Sequence, residues 1–360
     1  MTYDFAVIGA GIAGVSAAAR LSELGSVVIL EGEDAVAYHA SGRSAALFEP
    51  NYGAPTVVEL SLAGEDFLTH DSGGVLSPRG ILMVCKPGEE DLFRKEASGF
   101  GMAEISIAEA LDRVPIFDPA KLVAAAWTPS ARDIDTDLLI QNFLRKAREN
   151  GAELRTGYSV ETIAKDEGRW MVNVGGDTLR ARALVNAAGA WADQVAKLAG
   201  IPPIGLQPMR RSVARIPAPT AYDVSEWPMM FGVGEDWYAK PDAGQLIVSP
   251  SEEDPMDPFD AWADDMIIAG GLDRFSQVTN FEVSRVTSTW AGLRTFAPDR
   301  TLVLGPDPID PSFVWSAGQG GYGFQTSAGA SQLVADLVAG HVSELSAETV
   351  AALKPDRFRT

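Results

Sequence analysis

Two periods of hydrophobicity follow one another at the start of the chain. Phe5-Ala6-Val7-Ile8 is a short, unbroken apolar run closed by glycine, which predicts a fully buried parallel strand. From Ile12 to Leu24 small and apolar residues recur at helical spacing, and Gly25 supplies the stop. Residues 27–30 repeat the buried-strand pattern and end at Glu31. The first thirty residues therefore predict a strand–helix–strand unit. Further along, helical spacing predicts helices over 57–70, 89–98, 107–114, 137–150, 191–198 and 327–339. Strands are predicted over 81–85, 303–304 and 313–316. Alternation over 160–165, 170–174 and 179–185 predicts a three-stranded meander, with turns at Glu167-Gly168 and Gly175-Gly176. Residues 35–56 read as a long functional loop with one helical turn, and 205–305 as several short strands. No internal repeat is visible. The pattern fits two units that interleave, not two beads on a linker.

Composition narrows the classes. With 360 residues, 46% hydrophobic and 22% charged, the chain is globular and long enough for one large or two intergrown domains. There are 29 basic and 49 acidic side chains, a formal charge of −20 with no basic block, which argues against nucleic acid or an anionic membrane as partner. Residues 252–265 hold seven acids and no base, with Pro255 and Pro258, and read as a solvated loop. A single cysteine, Cys85, excludes an internal disulfide and any cysteine-based zinc cluster, and reads as a buried small hydrophobe. His39, His70 and His341 lie too far apart for metal-ligand spacing. The apolar start does not fit a signal peptide, because Asp4 stands where a base belongs and Gly9, Gly11 and Gly14 break the run. No stretch reaches the roughly 20 apolar residues of a membrane helix, so a cytoplasmic location is expected.

Gly9-Ala10-Gly11-Ile12-Ala13-Gly14 fits the Gly-x-Gly-x-x-Gly pattern. The string alone is weak, but here it follows a predicted strand, opens a predicted helix and precedes Glu31 at the end of the next strand. Gly9 allows the tight turn, Gly11 lets the backbone approach a diphosphate, and Gly14 permits close packing of helix on strand. Free N–H groups at the helix start then favour the diphosphate charge. Glu31 suits the adenosine ribose hydroxyls and repels a 2′-phosphate, which disfavours NADP. Two more segments favour FAD over NAD. Leu184-Val185-Asn186-Ala187-Ala188-Gly189-Ala190-Trp191 is an apolar strand running into small residues, and Gly318-Gln319-Gly320-Gly321-Tyr322-Gly323 precedes the last helix. Glycine-rich helix starts at opposite ends of the chain suit a long extended cofactor.

Together these stretches resemble the D-amino-acid oxidase/dehydrogenase superfamily of FAD enzymes, in its glycine-oxidase-like branch, and most of all the bacterial D-arginine dehydrogenases. The likeness rests on residues 7–14, Tyr38-His39-Ala40-Ser41-Gly42-Arg43-Ser44-Ala45-Ala46, Leu76-Ser77-Pro78-Arg79, Asp133-Ile134-Asp135-Thr136-Asp137, and residues 184–191, 205–212, 290–294 and 319–327. It runs from end to end of the chain. The resemblance implies an α/β chain, α+β overall: a Rossmann-like FAD-binding domain interleaved with a substrate domain on a large mixed or antiparallel sheet. The implied cofactor domain takes residues 1–76, 134–208 and 286–360; the substrate domain takes 77–133 and 209–285.

The resemblance also implies an activity: oxidation of an amino acid to the imino acid by hydride transfer to flavin N5, then hydrolysis to a 2-oxo acid and ammonia. FAD would be held noncovalently by Gly9, Gly11, Ile12, Ala13, Gly14 and Glu31, by Gly42, Arg43, Ser44, Ala45 and Ala46, and by Val160, Ala188, Gly189 and Trp191. Gly292 and the run Gly320, Gly321, Tyr322, Gly323, Phe324 and Gln325 complete the set. His39 lies near this loop, in a position that carries a histidine without flavin attachment in the nearest resemblance. A substrate carboxylate calls for the planar fork of arginine, and Arg210 and Arg294 match the carboxylate-binding pair. Tyr52 and Tyr238 match substrate-site tyrosines, and the Gly321 carbonyl suits the substrate amine. Leu47, Glu49, Ile81, Met229, Phe231 and Gln325 would line the pocket.

Departures from the pattern bear on the substrate. Ile81 stands where those dehydrogenases carry the glutamate that pairs with a guanidinium, and Leu47 replaces a loop histidine. An unpaired cation there is costly, so the expected substrate is a D-amino acid with a neutral or apolar side chain. Glu49 is the one residue that can restore an acidic partner; it equally fits a solvated loop carboxylate. A glycine- or sarcosine-type amine oxidase on the same fold, and a non-catalytic FAD-binding protein, are the competing readings. The expected partners are a small amino-acid substrate and an electron acceptor that no motif names.

Overall fold

Segments far apart in sequence build two open sheets, and the loops between the sheets carry the chemistry. The computed structural model describes residues 2–359. The first sheet has eight strands, in the order Val160–Asp166, Arg169–Val174, Asp177–Asn186, Thr2–Ile8, Val27–Leu30 and Glu153–Arg155. Phe313–Ala317 also pairs with Asp177–Asn186 and carries Val303–Pro306 outside it. Thr2–Ile8 is parallel to both its neighbours. It is buried on both faces: Phe5 and Val7 enter a core with Val15, Leu139, Phe143 and Leu333, whereas Ala6 and Ile8 enter another with Val28, Leu184, Val195 and Trp315. A side-chain period of two against covered faces explains the unbroken apolar run.

Helices Ile12–Leu21, Thr136–Glu149 and Ser327–Ala339 supply the first of these cores. The meander turns place Glu167 and Gly168 at φ 47° and 74°, and Gly175 and Gly176 at 54° and 83°. Paired left-handed residues match a two-residue hairpin to the strand twist.

The second sheet has nine strands. Its main path runs Gln207–Ile216, Gln245–Ser249, Tyr238–Asp242, Met229–Gly232, Ile81–Cys85, Ala124–Thr128 and Ala103–Ile105, with Asp254–Pro255 and Ser288–Phe296 also paired to Gln207–Ile216. Ser288–Phe296 pairs with Gln207–Ile216 over its whole length. It therefore lies in the second sheet, whereas the boundary expected at 286 put it with the cofactor domain; we propose moving residues 286–296 to the substrate unit. A small third sheet of Leu47–Phe48, Arg132–Ile134 and Leu76–Pro78 bridges the two. Its Asp133 accepts from Arg79 Nε at 2.7 Å and from the buried Lys240 Nζ at 2.6 Å, which ties it to the second sheet.

Two helices lay outside the sequence expectation, Asp265–Ser276 and Ala347–Leu353. In the first, Gly270-Gly271 interrupts the helical pattern for a packing reason. A Cβ on Gly271 would come within 2.6 Å of Pro250 Cα, so only glycine lets that helix lie on the strand behind it. No helix among the described residues is long and apolar enough to cross a membrane.

Candidate active site

The strand–turn–helix at the amino terminus has the glycine geometry its spacing predicts. Gly9 sits at φ 100°, and a Cβ there would lie 2.5 Å from the Ala187 carbonyl oxygen. A Cβ on Gly14 would lie 1.9 Å from the Gly9 oxygen, so helix and strand touch backbone to backbone. A Cβ on Gly11 would lie 3.1 Å from Ser41 Oγ, which accepts from the Ile12 amide at 3.0 Å. The Gly11 and Ala13 amides have no acceptor among the described residues. Unpartnered amides at a helix start form an anion site. The Glu31 carboxylate closes the turn, accepting from the Ala10 amide at 2.7 Å and the Glu33 amide at 3.0 Å.

Around this turn lies a cavity of about 370 Å³, walled by Gly9, Gly11, Glu31, Val160, Ala188, Gly189 and Trp191 among others. It runs on into a second cavity through shared Gly11, Ala40, Ser41, Arg43 and Gly292. The second is lined by Ile12, Ala13, Ser44, Ala45, Gly320, Gly321, Gly323 and Phe324. A third, of about 90 Å³, opens from it through Ser44, Ala45, Arg211, Tyr238, Arg294 and Gly321. The three form one continuous path.

Tyr52, Glu49, Leu47, Ile81, Met229, Phe231, Gln325 and Ala46 line the third cavity with Phe100 and Glu235. The sheet register explains its floor. Phe231 pairs with Tyr238, Met229 with Ile81, and Ile81 with Thr128, so these side chains rise from one face. Glu49 is 2% exposed. It accepts from Asn51 through Oε1 and from Ser130 Oγ through Oε2 at 2.6 Å. The solvated-loop reading of Glu49 is thereby corrected: neighbouring donors hold the carboxylate inside. Gln325 pins the loop above it, accepting from the Glu49 amide and donating to the Tyr52 carbonyl.

One arginine moves by a single position. Arg211, not Arg210, faces the junction of the second and third cavities. Successive residues of Gln207–Ile216 point to opposite faces, so Arg211 and Val213 share the cavity side while Arg210 turns away. Arg210 Nη2 pairs with Asp254 at 2.8 Å on the far side. Burial, then the charge of Arg294, draws the Arg211 pKa down; Tyr238 and Glu253 oppose that. The Arg294 guanidinium has no hydrogen-bond or ion-pair partner among the described residues, and neither has the hydroxyl of the buried Tyr238. Polar groups left open on a cavity wall mark where a ligand supplies the partner. Glu235, which no motif indicated, stands at the rim and accepts from Tyr52 Oη at 3.0 Å.

Comparison with known proteins gives the family. Residues 4–337 match the family model described as FAD dependent oxidoreductase, DAO. The chain belongs to that family. Human mitochondrial dimethylglycine dehydrogenase is 25% identical over 365 residues, covering 92% of this chain and 42% of its own length. The chain thus spans about two fifths of that relative. Glycine oxidase of Geobacillus kaustophilus is 24% identical, with 93% of each chain covered. Its crystal structure superposes with a TM-score of 0.82, at 23% identity over 97% of this chain and 98% of that one. L-alpha-glycerophosphate oxidase from Mycoplasma pneumoniae, solved with FAD bound, gives a TM-score of 0.85 at 18% identity, covering 95% and 96% of the two chains.

FAD is accordingly the cofactor of this DAO-family chain, and the cavity chemistry fits it. The open amides of Gly11 and Ala13 suit the diphosphate, and Glu31 and Val160 line the end suited to adenosine. Gly320, Gly321, Gly323 and Phe324 line the part that meets the substrate cavity. Three residues expected at the cofactor line none of the cavities. Gly14 lies under the turn, and Gly42 donates to the Ala37 carbonyl at 2.7 Å. The Tyr322 ring packs against Tyr52 with centroids 5.4 Å apart. His39 lines the first cavity with its imidazole on Glu33 at 2.8 Å and its ring against Trp191. Cys85 is buried, and burial pushes its thiol up to about 11.

The acidic segment departs most from its expectation. It is a strap, not a free solvated loop. Glu253 pairs with Arg211 and Arg300, Asp254 with Arg210, and Asp260 with Arg43. Phe259 and Ala261 wall the first cavity. Charge counting missed this because the basic partners come from strands and loops remote in sequence.

Proposed function

We propose that the chain oxidises a D-α-amino acid whose carboxylate is held between Arg211 and Arg294 and whose side chain lies along Leu47, Ile81, Phe100, Met229 and Phe231. One observation carries the reading: an unpartnered guanidinium, Arg294, lines the junction with Arg211 where the cofactor path meets a cavity walled on one side by Leu47, Ile81, Phe100, Met229 and Phe231. A planar guanidinium matches a carboxylate in both charge and geometry. FAD, when bound, supplies the acceptor for two electrons. The substrate Cα–H bond breaks with its electron pair, the amine gives up a proton, and the resulting imino acid takes up water to yield a 2-oxo acid and ammonia.

Positioning and exclusion of water are the chain's own contribution. Tyr238 and Gly321 line the junction of the two cavities, and in this reading the Tyr238 hydroxyl donates to the carboxylate and the Gly321 carbonyl accepts from the amine. Tyr52 and Glu235 span the mouth and narrow the access of solvent. The D hand is supported by the resemblance to the D-amino-acid branch. A neutral side chain is supported by the apolar wall of Leu47, Ile81, Met229 and Phe231, and by Glu49 being held by Asn51 and Ser130. Non-covalent FAD is proposed because His39 is engaged by Glu33.

A second reading is oxidation of an N-alkyl glycine, favoured by the names of the dimethylglycine dehydrogenase and glycine oxidase relatives. An N-alkyl substrate needs apolar room beside the amine, whereas a D-amino acid needs it beside the side chain. The test of the carboxylate site is Arg294→Met. FAD content should be retained and the apparent KM should rise by two orders of magnitude or more; an unchanged KM would remove the assignment.

A further inference from the structure

The acidic strap grips Arg211 from behind. Arg211 Nε donates to the Glu252 carbonyl at 2.9 Å, and Nη2 donates to Glu253 Oε1 at 3.2 Å. One edge of the guanidinium is therefore occupied, while Nη1 has no partner among the described residues. Glu253 is itself held from its other side, because Arg300 Nη2 donates to both its oxygens, at 3.1 and 2.9 Å. Arg300 lies over the Phe296 ring, 3.9 Å from its centroid. That ring fills the space a Cβ on Gly320 would enter, at 2.4 Å, so the support reaches the wall of the cofactor path. Arg294, by contrast, has no such support.

Two guanidiniums on one cavity repel each other, and a flexible one would turn away to solvent or to another acid. We infer that Glu253 is the positioning residue of the carboxylate clamp, holding Arg211 edge-on so that its free edge faces the substrate beside Arg294. This rests on the reading of Arg211 and Arg294 as that clamp. Glu253 touches neither cavity contents nor cofactor; it acts through Arg211. An anion behind Arg211 offsets the repulsion from Arg294 before substrate arrives, and the shared Arg300 keeps Glu253 from swinging out. The sequence signal is thin. Within seven acids, only the one packed between two arginines has this role.

The test titrates the FAD-loaded protein with benzoate, a simple carboxylate, and follows the flavin absorbance. Glu253→Ala is made in the wild-type and the Arg211→Met backgrounds, and FAD content is measured in all four proteins. Glu253→Ala should weaken benzoate about tenfold in the wild-type background and add nothing once Arg211 is gone. Glu253→Gln, which keeps one acceptor but no charge, should fall between. FAD content should stay level across the set. Equal losses in both backgrounds, or no loss in either, would overturn the proposal while a weakened Arg211→Met still supports the clamp. Arg211→Met binding benzoate like wild type would remove the clamp reading and this inference with it. If Glu253→Ala fails to fold, Glu253→Gln in the same two backgrounds decides by the same comparison.

Discussion

Tyr52 Oη donates to Glu235 Oε2 at 3.0 Å, joining two loops across the mouth of the substrate cavity. Tyr52 stacks on Phe100 with centroids 5.6 Å apart and planes 13° from parallel, so the aromatic lid is fixed on its apolar side. Burial, then the Glu235 charge, holds the Tyr52 hydroxyl far above its ordinary range, which keeps it a donor. Glu235 adopts φ 51°, a left-handed conformation costly for a residue with a side chain.

A pH signature follows from Glu235. Burial pushes its carboxyl above the usual range, outweighing the Tyr52 hydrogen bond and the Arg211 charge that pull it down. The folded state then holds the proton more tightly than the unfolded chain. The associated stability is full below the ordinary carboxylate pKa and is lost as pH rises through the raised value. Glu235→Gln removes that loss, so its melting temperature should gain on wild type as pH rises above the ordinary carboxylate range. A melting-temperature difference that stays constant as pH rises would contradict the desolvation of this carboxylate at the cavity mouth.

Arg210 and Arg211 should separate cleanly. Arg211→Met removes a cavity-facing guanidinium and should raise the KM for an amino acid by roughly 30-fold or more, from about 2 kcal/mol lost at a buried charge pair. Arg210→Met should leave KM within about twofold, the scale of 0.4 kcal/mol, but lower the melting temperature. Its loss leaves Asp254 unpaired and removes the Arg210 contact from Glu252, whose pKa burial already raises. Steady-state kinetics beside thermal melts read both. The reverse pattern would restore Arg210 to the site.

That pair shows where sequence reading ends. Gly9, Gly11 and Gly14 were legible because each demand is local: a left-handed turn, a close approach, a backbone contact 1.9 Å from any Cβ. Arg294 was legible through its surrounding motif. Arg210-Arg211 offered two arginines on one strand, and only the register against Ser288–Phe296 and the cavity side of Val213 decide which faces inward. Glu235 was invisible because it sits in a short turn of no fixed pattern, although Phe231 and Tyr238 on either side were both singled out. The strap was misread because a run of acids carries no record of the arginines that meet it in space. Phe100 follows a helix end and reaches the cavity only through the chain's return past Tyr52.

Substrate side-chain preference turns on Ile81, which is 3% exposed and central to the cavity floor. The wild type should reduce its flavin faster with D-norleucine than with D-lysine, because Leu47, Ile81, Met229 and Phe231 offer an ammonium no charge or acceptor along this wall. Ile81→Glu should reverse the ratio of kcat/KM by at least tenfold, about 1.4 kcal/mol. A variant that keeps FAD but shows no change in that ratio would mean Ile81 does not face the substrate side chain.

The central claim is oxidation of a D-amino acid on FAD, and anaerobic flavin bleaching tests it most directly. The FAD-loaded protein is mixed without oxygen with D-norleucine, L-norleucine, glycine and sarcosine in turn, and the absorbance of oxidised flavin is followed. Bleaching by D-norleucine at a rate well above the other three is the predicted result. Bleaching by sarcosine or glycine alone, or by none of the four, would contradict it.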